Sequence, residues 1–201
     1  MDVFLETERL ILRRLTPDDA GNLYELDNDP DVMCFINGGK PADYEVIRRQ
    51  TLPRFLACYD EYESYGFWAA IEKSSGAFIG WFHFRPGAGR PEDIELGYRL
   101  RKASWGQGYA TEGSRALIRK GFTELGTQRV VAHTLAVNTR SRRVMEKAGL
   151  KFAWSFTYEG TPGAWHVGQA AVEYALDKRE WTDEYASPGL EFAQRRRLYS
   201  P

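Results

Sequence analysis

The segment Trp105-Gly106-Gln107-Gly108-Tyr109-Ala110-Thr111-Glu112 constrains this chain more than any other. Before it, Asp93 to Leu100 alternates in the manner of a strand. After it, Leu117, Ile118, Phe122 and Leu125 recur at helical spacing, and Gly126 stands where the helix would close. A glycine loop between strand and helix turns backbone N–H groups outward, and the helix dipole adds positive potential there. Small residues let an anion reach the backbone. A pyrophosphate suits such a loop, and an ordinary turn without ligand is the plain alternative. Two familiar phosphate loops do not fit. The dinucleotide fingerprint meets Thr111 where it needs Gly or Ala, and the nucleoside-triphosphate loop with its Gly-Lys-Ser/Thr ending is absent.

The rest of the chain surrounds this unit with short elements. Arg9 to Leu15 reads as a strand. Thr16-Pro17-Asp18-Asp19 opens a helix carrying Ala20, Leu23 and Tyr24, and Asp27 to Pro30 reads as a turn. Pro41 to Tyr65 reads as mostly helical, kinked or split at Pro53. Phe67 to Glu72 and Ala77 to Phe84 form a hairpin, and Arg85 to Pro91 a loop. Gln128 to Leu135 is a strand and Asn138 to Ala148 a helix. Lys151 to Thr157 and Trp165 to Leu176 make a last hairpin, and Trp181 to Pro201 a polar tail or terminal helix. These elements predict a mixed α/β (α+β) domain over residues 1–180, with one twisted, mostly antiparallel sheet of about seven strands flanked by helices, then a tail over 181–201. The unit from 93 to 135 predicts two parallel strands joined by a right-handed crossover.

Composition narrows the function classes. The 201 residues carry 27 Lys and Arg against 28 Asp and Glu, so a general nucleic-acid binder is not expected. The two cysteines, Cys34 and Cys58, make neither a disulfide framework nor a zinc site by themselves. The N-terminal residues lack the order of a signal peptide, and no apolar run approaches membrane-spanning length. The expectation is a cytoplasmic protein without membrane or nucleic-acid partners.

Four segments in order resemble the GNAT superfamily of acyl-CoA-dependent N-acetyltransferases, and most nearly the branch of bacterial ribosomal-protein N-terminal acetyltransferases. They are Thr7-Glu8-Arg9-Leu10-Ile11-Leu12-Arg13, Ile94-Glu95-Leu96-Gly97-Tyr98, the glycine loop, and the run Asn138 to Leu150. Gly108 and Ala110 fit the superfamily's loop pattern, whereas Trp105 stands where Gln or Arg is commoner. The resemblance implies a sheet whose fourth and fifth strands splay, with pantetheine lying in the gap like an extra strand, paired near Tyr98 to Leu100. It also implies that Gly106, Gln107, Gly108, Tyr109, Ala110 and Thr111 hold the pyrophosphate of acetyl-CoA and that Asn138 meets the pantetheine arm. Arg140, Arg142 and Arg143 offer a cation to the 3′-phosphate, of which Arg143 is the one taken as cofactor-binding. A solvated helix face explains the same run.

Acyl transfer from a thioester to an amine requires a proton acceptor, oxyanion donors and a proton for the departing thiolate, and no metal. Glu95 faces away from Ile94 and Leu96, and the resemblance implies a general base there. A structural ion pair is the other reading. Ser141 lies one helical turn beyond Asn138, and the resemblance makes it the donor to sulfur, or else it satisfies first-turn backbone groups. Many superfamily members place a tyrosine where this chain has Met145. His133 lies near the expected splay, where it could meet the amine or serve structure alone. Glu112 is explained by the helix dipole. The predicted activity is acetyl transfer to a primary amine, on a protein N-terminus or a small molecule, by direct attack in a ternary complex. An acyl-CoA-binding sensor on the same fold is the alternative, and a homodimer is compatible with the sequence.

Overall fold

The computed structural model describes residues 2–87, 89–159 and 166–182. Its strands are β1 (Val3–Glu6), β2 (Leu10–Arg14), β3 (Gly66–Glu72), β4 (Phe78–Pro86), β5 (Ile94–Leu100), β6 (Arg129–Leu135), β7 (Lys151–Thr157) and β8 (Ala170–Asp177). They form one sheet in the order β1-β2-β3-β4-β5-β6-β8-β7. Every pairing is antiparallel except β5 with β6. The helices are α1 (Ala20–Asp27), α2 (Pro30–Asn37), α3 (Tyr44–Val46), α4 (Leu52–Glu61), α5 (Tyr109–Thr123) and α6 (Thr139–Lys147).

Alternation along the central strands splits the core in two. Leu10, Leu12, Trp68, Phe82, Phe84 and Leu96 face α5 and α6, where Leu117, Ile118, Phe122 and Met145 cover them. Phe67, Ala69, Ile71 and Trp81 face the other way, under Leu23, Leu26, Leu52 and Phe55 of α1 and α4. Two glycines seat α5 against the sheet. A Cβ on Gly113 would lie 2.4 Å from Phe82 Cζ, and one on Gly121 would lie 2.6 Å from Phe84 Cζ.

The parallel pair is the exception that positions the site. β5 pairs with β4 over seven residues and β6 with β8 over seven, yet β5 meets β6 only at Ile94↔Val130 and Glu95↔Val131. Beyond that vertex the two strands part, toward the glycine loop on one side and the start of α6 on the other.

The structure revises several sequence expectations. The sheet has eight strands rather than about seven, because Val3 to Glu6 adds an edge strand, with Phe4 stacked on Trp68 at 3.7 Å between ring centroids. The splayed pair is therefore fifth and sixth in chain order. The turn read at Asp27 to Pro30 is the entry to α2: Asp29 caps it through Asp31 N at 2.9 Å, Pro30 occupies its first turn, and Gly38 closes it at φ 78°. The helical run is divided just ahead of Pro53, by a change of helix type rather than by a break in the backbone. A π-helical stretch, Ile47–Thr51, widens the turn ahead of it, and Pro53 sits in the first turn of α4, where no N–H is needed. The last strand starts at Ala170, after a turn over 166–168. Trp165 and the arginine run 195–197 lie outside the described residues, as does nearly all of the proposed tail. Its first residue, Trp181, packs on Phe122 of α5.

Candidate active site

At the open end of the gap, the glycine loop meets α5. Gly106 and Gly108 take φ values of 75° and 88°, conformations that disfavour any side chain. Both are exposed, and a Cβ on Gly106 would have nothing within 4 Å. Gly108 caps α5 without a side-chain partner, so the N–H groups of the first turn point outward uncapped. This is the arrangement an anion needs.

The loop is braced from below. Arg9 donates through Nε to Glu112 at 2.7 Å and through Nη1 to the Gln107 carbonyl at 2.9 Å, and its guanidinium lies 4.5 Å from the Tyr109 ring centroid. Glu112 also accepts from Arg9 N at 2.9 Å and from the Thr7 hydroxyl. The Tyr109 hydroxyl bonds to Glu72. Glu112 thus ties the N-terminal hairpin to the loop, a task beyond the dipole effect read from sequence. Its partners lie 103 and 105 residues away, where no local pattern could expose them.

Trp105 has a structural reason to replace the commoner Gln or Arg. Its indole donates to the Leu100 carbonyl at 2.8 Å, its ring joins both halves of the core, and Arg140 of α6 lies over it at 5.4 Å. Across the gap, the Tyr98 hydroxyl donates to the Ser141 carbonyl at 3.1 Å and lies 3.1 Å from Ser141 Oγ. Burial raises the Tyr98 hydroxyl pKa, and the Ser141 bond only partly offsets it. Asn138 accepts from Ser141 N at 3.2 Å and donates to Thr134 Oγ1 at 3.2 Å, so its side chain caps α6. Met145 is buried in the core. Arg142 is held by Tyr174 and the Ala136 carbonyl, whereas Arg143 is exposed on α6.

The vertex carries a second constellation, on the opposite face of the sheet from Tyr98. Glu95 accepts from Arg85 Nη2 at 2.9 Å and lies 3.4 Å from His133 Nδ1. His133 Nε2 lies 3.0 Å from Glu173 of β8, the residue directly opposite in the register. The His83 ring spreads over Gly97, whose Cβ would sit 2.5 Å from it. Burial alone would raise the Glu95 carboxyl, but the His133 hydrogen bond and the charges of His83, Arg85 and His133 outweigh it, bringing its pKa to about 2. Burial holds His83 neutral, with its pKa lowered to about 4. His133 goes the other way: burial lowers it, but the contacts with Glu95 and Glu173 prevail and raise it. Phe156, edge-on to His133 at 5.8 Å, and then Tyr158 wall this side. Sequence reading singled out Glu95 and His133 but not Glu173 or Arg85, which become visible only through strand register.

Known proteins resemble this chain in sequence and fold. The model of the Acetyltransferase (GNAT) domain matches residues 9–151. The FsC-acetyl coenzyme A-N(2)-transacetylase of Aspergillus fumigatus is 32% identical over 187 residues, covering 88% of this chain and 77% of the relative. A GNAT-family acetyltransferase structure from Bacillus anthracis superimposes with a TM-score of 0.71 at 25% identity, covering 90% of this chain and all of that one. The ribosomal-protein-S5-alanine acetyltransferase of Vibrio fischeri has the same fold at 17% identity, with a TM-score of 0.68 over 89% of this chain and 98% of its own. With the splayed strand pair and the uncapped glycine loop in place, the match over most of its length makes this chain a member of the GNAT acetyltransferase family.

Proposed function

We propose that this protein moves the acetyl group of acetyl-CoA to a primary amine by direct attack within a ternary complex. The observation that carries the reading is the gap between β5 and β6, which joins an uncapped helix N-terminus behind the glycine loop at one end to an ionised carboxylate at the other. The amides of Gly106, Gln107, Gly108, Tyr109, Ala110 and Thr111 take the pyrophosphate. Backbone groups of Tyr98 and Leu100 line the pantetheine path opposite Asn138, and Arg143 is free to meet the 3′-phosphate. The thioester reaches the vertex, where Glu95 attracts the amine as its ammonium form and assists loss of its proton. Ser141 supplies a proton to the departing thiolate, with the Tyr98 hydroxyl orienting it.

A small-molecule amine is the acceptor class we favour. The support is the 32% identity with an N(2)-transacetylase over 88% of this chain, against 17% with the ribosomal-protein enzyme. Calorimetric titration with acetyl-CoA tests the cofactor assignment. Micromolar binding by the wild type is expected, and so is its loss in Gly108→Trp, which still folds although a side chain at φ 88° lowers its melting temperature. No binding by the folded wild type overturns it. A panel of primary amines followed by thiol release then tests turnover. Binding without turnover on any amine would favour the sensor reading instead.

A further inference from the structure

We propose that His133, oriented by Glu173, is the group that takes the proton from the acceptor amine. This rests on the acetyltransferase reading above and gives the proton a destination that Glu95 does not provide.

His133 on β6 and Glu173 on β8 are directly opposed, and Glu95 projects from β5 on the same face, at the last paired residue before the strands part. Glu173 is 7% exposed and its Oε2 lies 3.0 Å from His133 Nε2. A buried carboxylate at that distance keeps a proton on Nε2. In the neutral ring, the lone pair then belongs to Nδ1, which faces the vertex 3.4 Å from Glu95 Oε1. In the charged ring Nδ1–H is itself the donor to Glu95; once that proton has gone to water, lone pair and carboxylate face each other and need a donor in common. An incoming ammonium supplies one N–H to each.

The charges around the ring assign the roles. Glu95 and Glu173 contact it directly. Arg85 pairs with Glu95 at 2.9 Å, and Arg129 stands 3.7 Å from the second oxygen of Glu173. His83 lies 3.9 Å from Glu95 and is held neutral by burial. Phe156 closes the β7 side with an uncharged ring edge, and Tyr158 stands beyond it. Glu95, with its pKa near 2, keeps its charge and makes a weak base. It is an anchor for the ammonium. His133, with its pKa raised by Glu95 and Glu173 against the effect of burial, is the stronger base of the two.

The step balances as follows. An ammonium proton passes to Nδ1 and the freed amine attacks the thioester carbonyl. The N–C bond forms, the C–S bond breaks, the thiolate takes a proton from Ser141, and the second amine proton, released to solvent, restores the Ser141 hydroxyl. The imidazolium, stabilised by Glu173, returns its proton to water before the next turnover. Glu173 is a positioning residue.

The test is the pH dependence of kcat/KM at saturating acetyl-CoA, with the best amine of the panel, paired with NMR titration of the His133 imidazole. The wild type should lose activity as pH falls through the His133 pKa. His133→Gln should lower kcat/KM by roughly 100-fold or more and abolish that limb. Glu173→Gln removes a neighbouring negative charge, so limb and imidazole titration should both move to lower pH by the same amount. The paired shift distinguishes this from a loss of folding. A His133→Gln enzyme with the wild-type limb and rate, or a Glu173→Gln imidazole shift with the limb unmoved, overturns this inference and leaves the acetyltransferase reading intact. A wild type that acetylates no amine overturns both.

Discussion

Replacing Gly113 by alanine separates local helix preference from packing against the sheet. In a free helix the change favours folding by about 1 kcal/mol. Here the new Cβ would stand 2.4 Å from Phe82 Cζ, whereas ordinary contact begins at 3.4 Å, so helix and ring must part by about 1 Å. Phe82 has no room to give. It is fully buried and flanked in the sheet by Trp68 and Tyr98. Overpacking of this kind costs about 1–3 kcal/mol, so after the helix gain a net loss of up to about 2 kcal/mol is expected. At about 2–4 °C per kcal/mol, Tm falls by up to about 8 °C. The strain also lifts the N-terminal turn of α5, only four residues away, and acetyl-CoA binding should weaken on the order of tenfold. Gly21→Ala is the matched control, at an exposed position of α1 with nothing within 4 Å of the new Cβ, and it should raise Tm slightly. Scanning calorimetry with acetyl-CoA titration checks both. If Gly113→Ala is as stable as Gly21→Ala and binds acetyl-CoA as tightly as the wild type, the seating of α5 on Phe82 is refuted.

The other predictions concern charge and hydrogen bonding. Glu112→Gln removes the carboxylate that holds Arg9 at 2.6 Å, so the dissociation constant for acetyl-CoA should rise several-fold in calorimetry while the far-ultraviolet circular dichroism stays unchanged. His83 is neutral when folded, with its pKa lowered from 6.5 to about 4, so it contributes stability above pH 6.5 that is lost as pH falls through about 4. Urea melts should show about 3 kcal/mol of that loss between these pH values, and His83→Gln should flatten the dependence. A slope that survives the substitution refutes the assignment. Ser141→Ala should lower kcat with little change in the KM for acetyl-CoA, and Tyr98→Phe should produce a smaller fall of the same kind. Equal kcat in all three proteins would remove Ser141 from the chemistry.

The sequence exposes what is local and conceals what is distant. Alternation of Ile94, Glu95 and Leu96 predicts two faces of β5, and the structure buries Ile94 and Leu96 but only half-buries Glu95. The glycine loop is legible because its conformation depends on two residues without side chains. Asn138 can be read as a cap because its partner Ser141 N is three residues on. Glu173 is a different matter. In the sequence it is one acid in an apolar strand, and only the pairing of β6 with β8 sets it against His133. Arg9 and Glu112 are equally silent, since nothing near either one marks a partner more than a hundred residues away. The missed α2 has another cause: Asp29, Pro30 and Gly38 are ordinary start and stop signals, but Asp-Pro also begins turns, and the short apolar run behind it is ambiguous.

Because β5 and β6 share only two paired positions, the protein has a sheet edge in its interior. Outer edges are open to any strand and invite aggregation. This inner one is bridged by Tyr98 to Ser141 and by Arg140 over Trp105, and its unpaired backbone groups suit a ligand that carries amides. A ligand that completes the sheet joins β1–β5 to β6–β8 and is therefore part of the fold's cohesion. At a hundred times its dissociation constant such a ligand adds about 2.7 kcal/mol. With the acyl donor in this gap as proposed above, resistance to unfolding would rise and fall with the donor, and an abundant donor would preserve the protein as well as supply it.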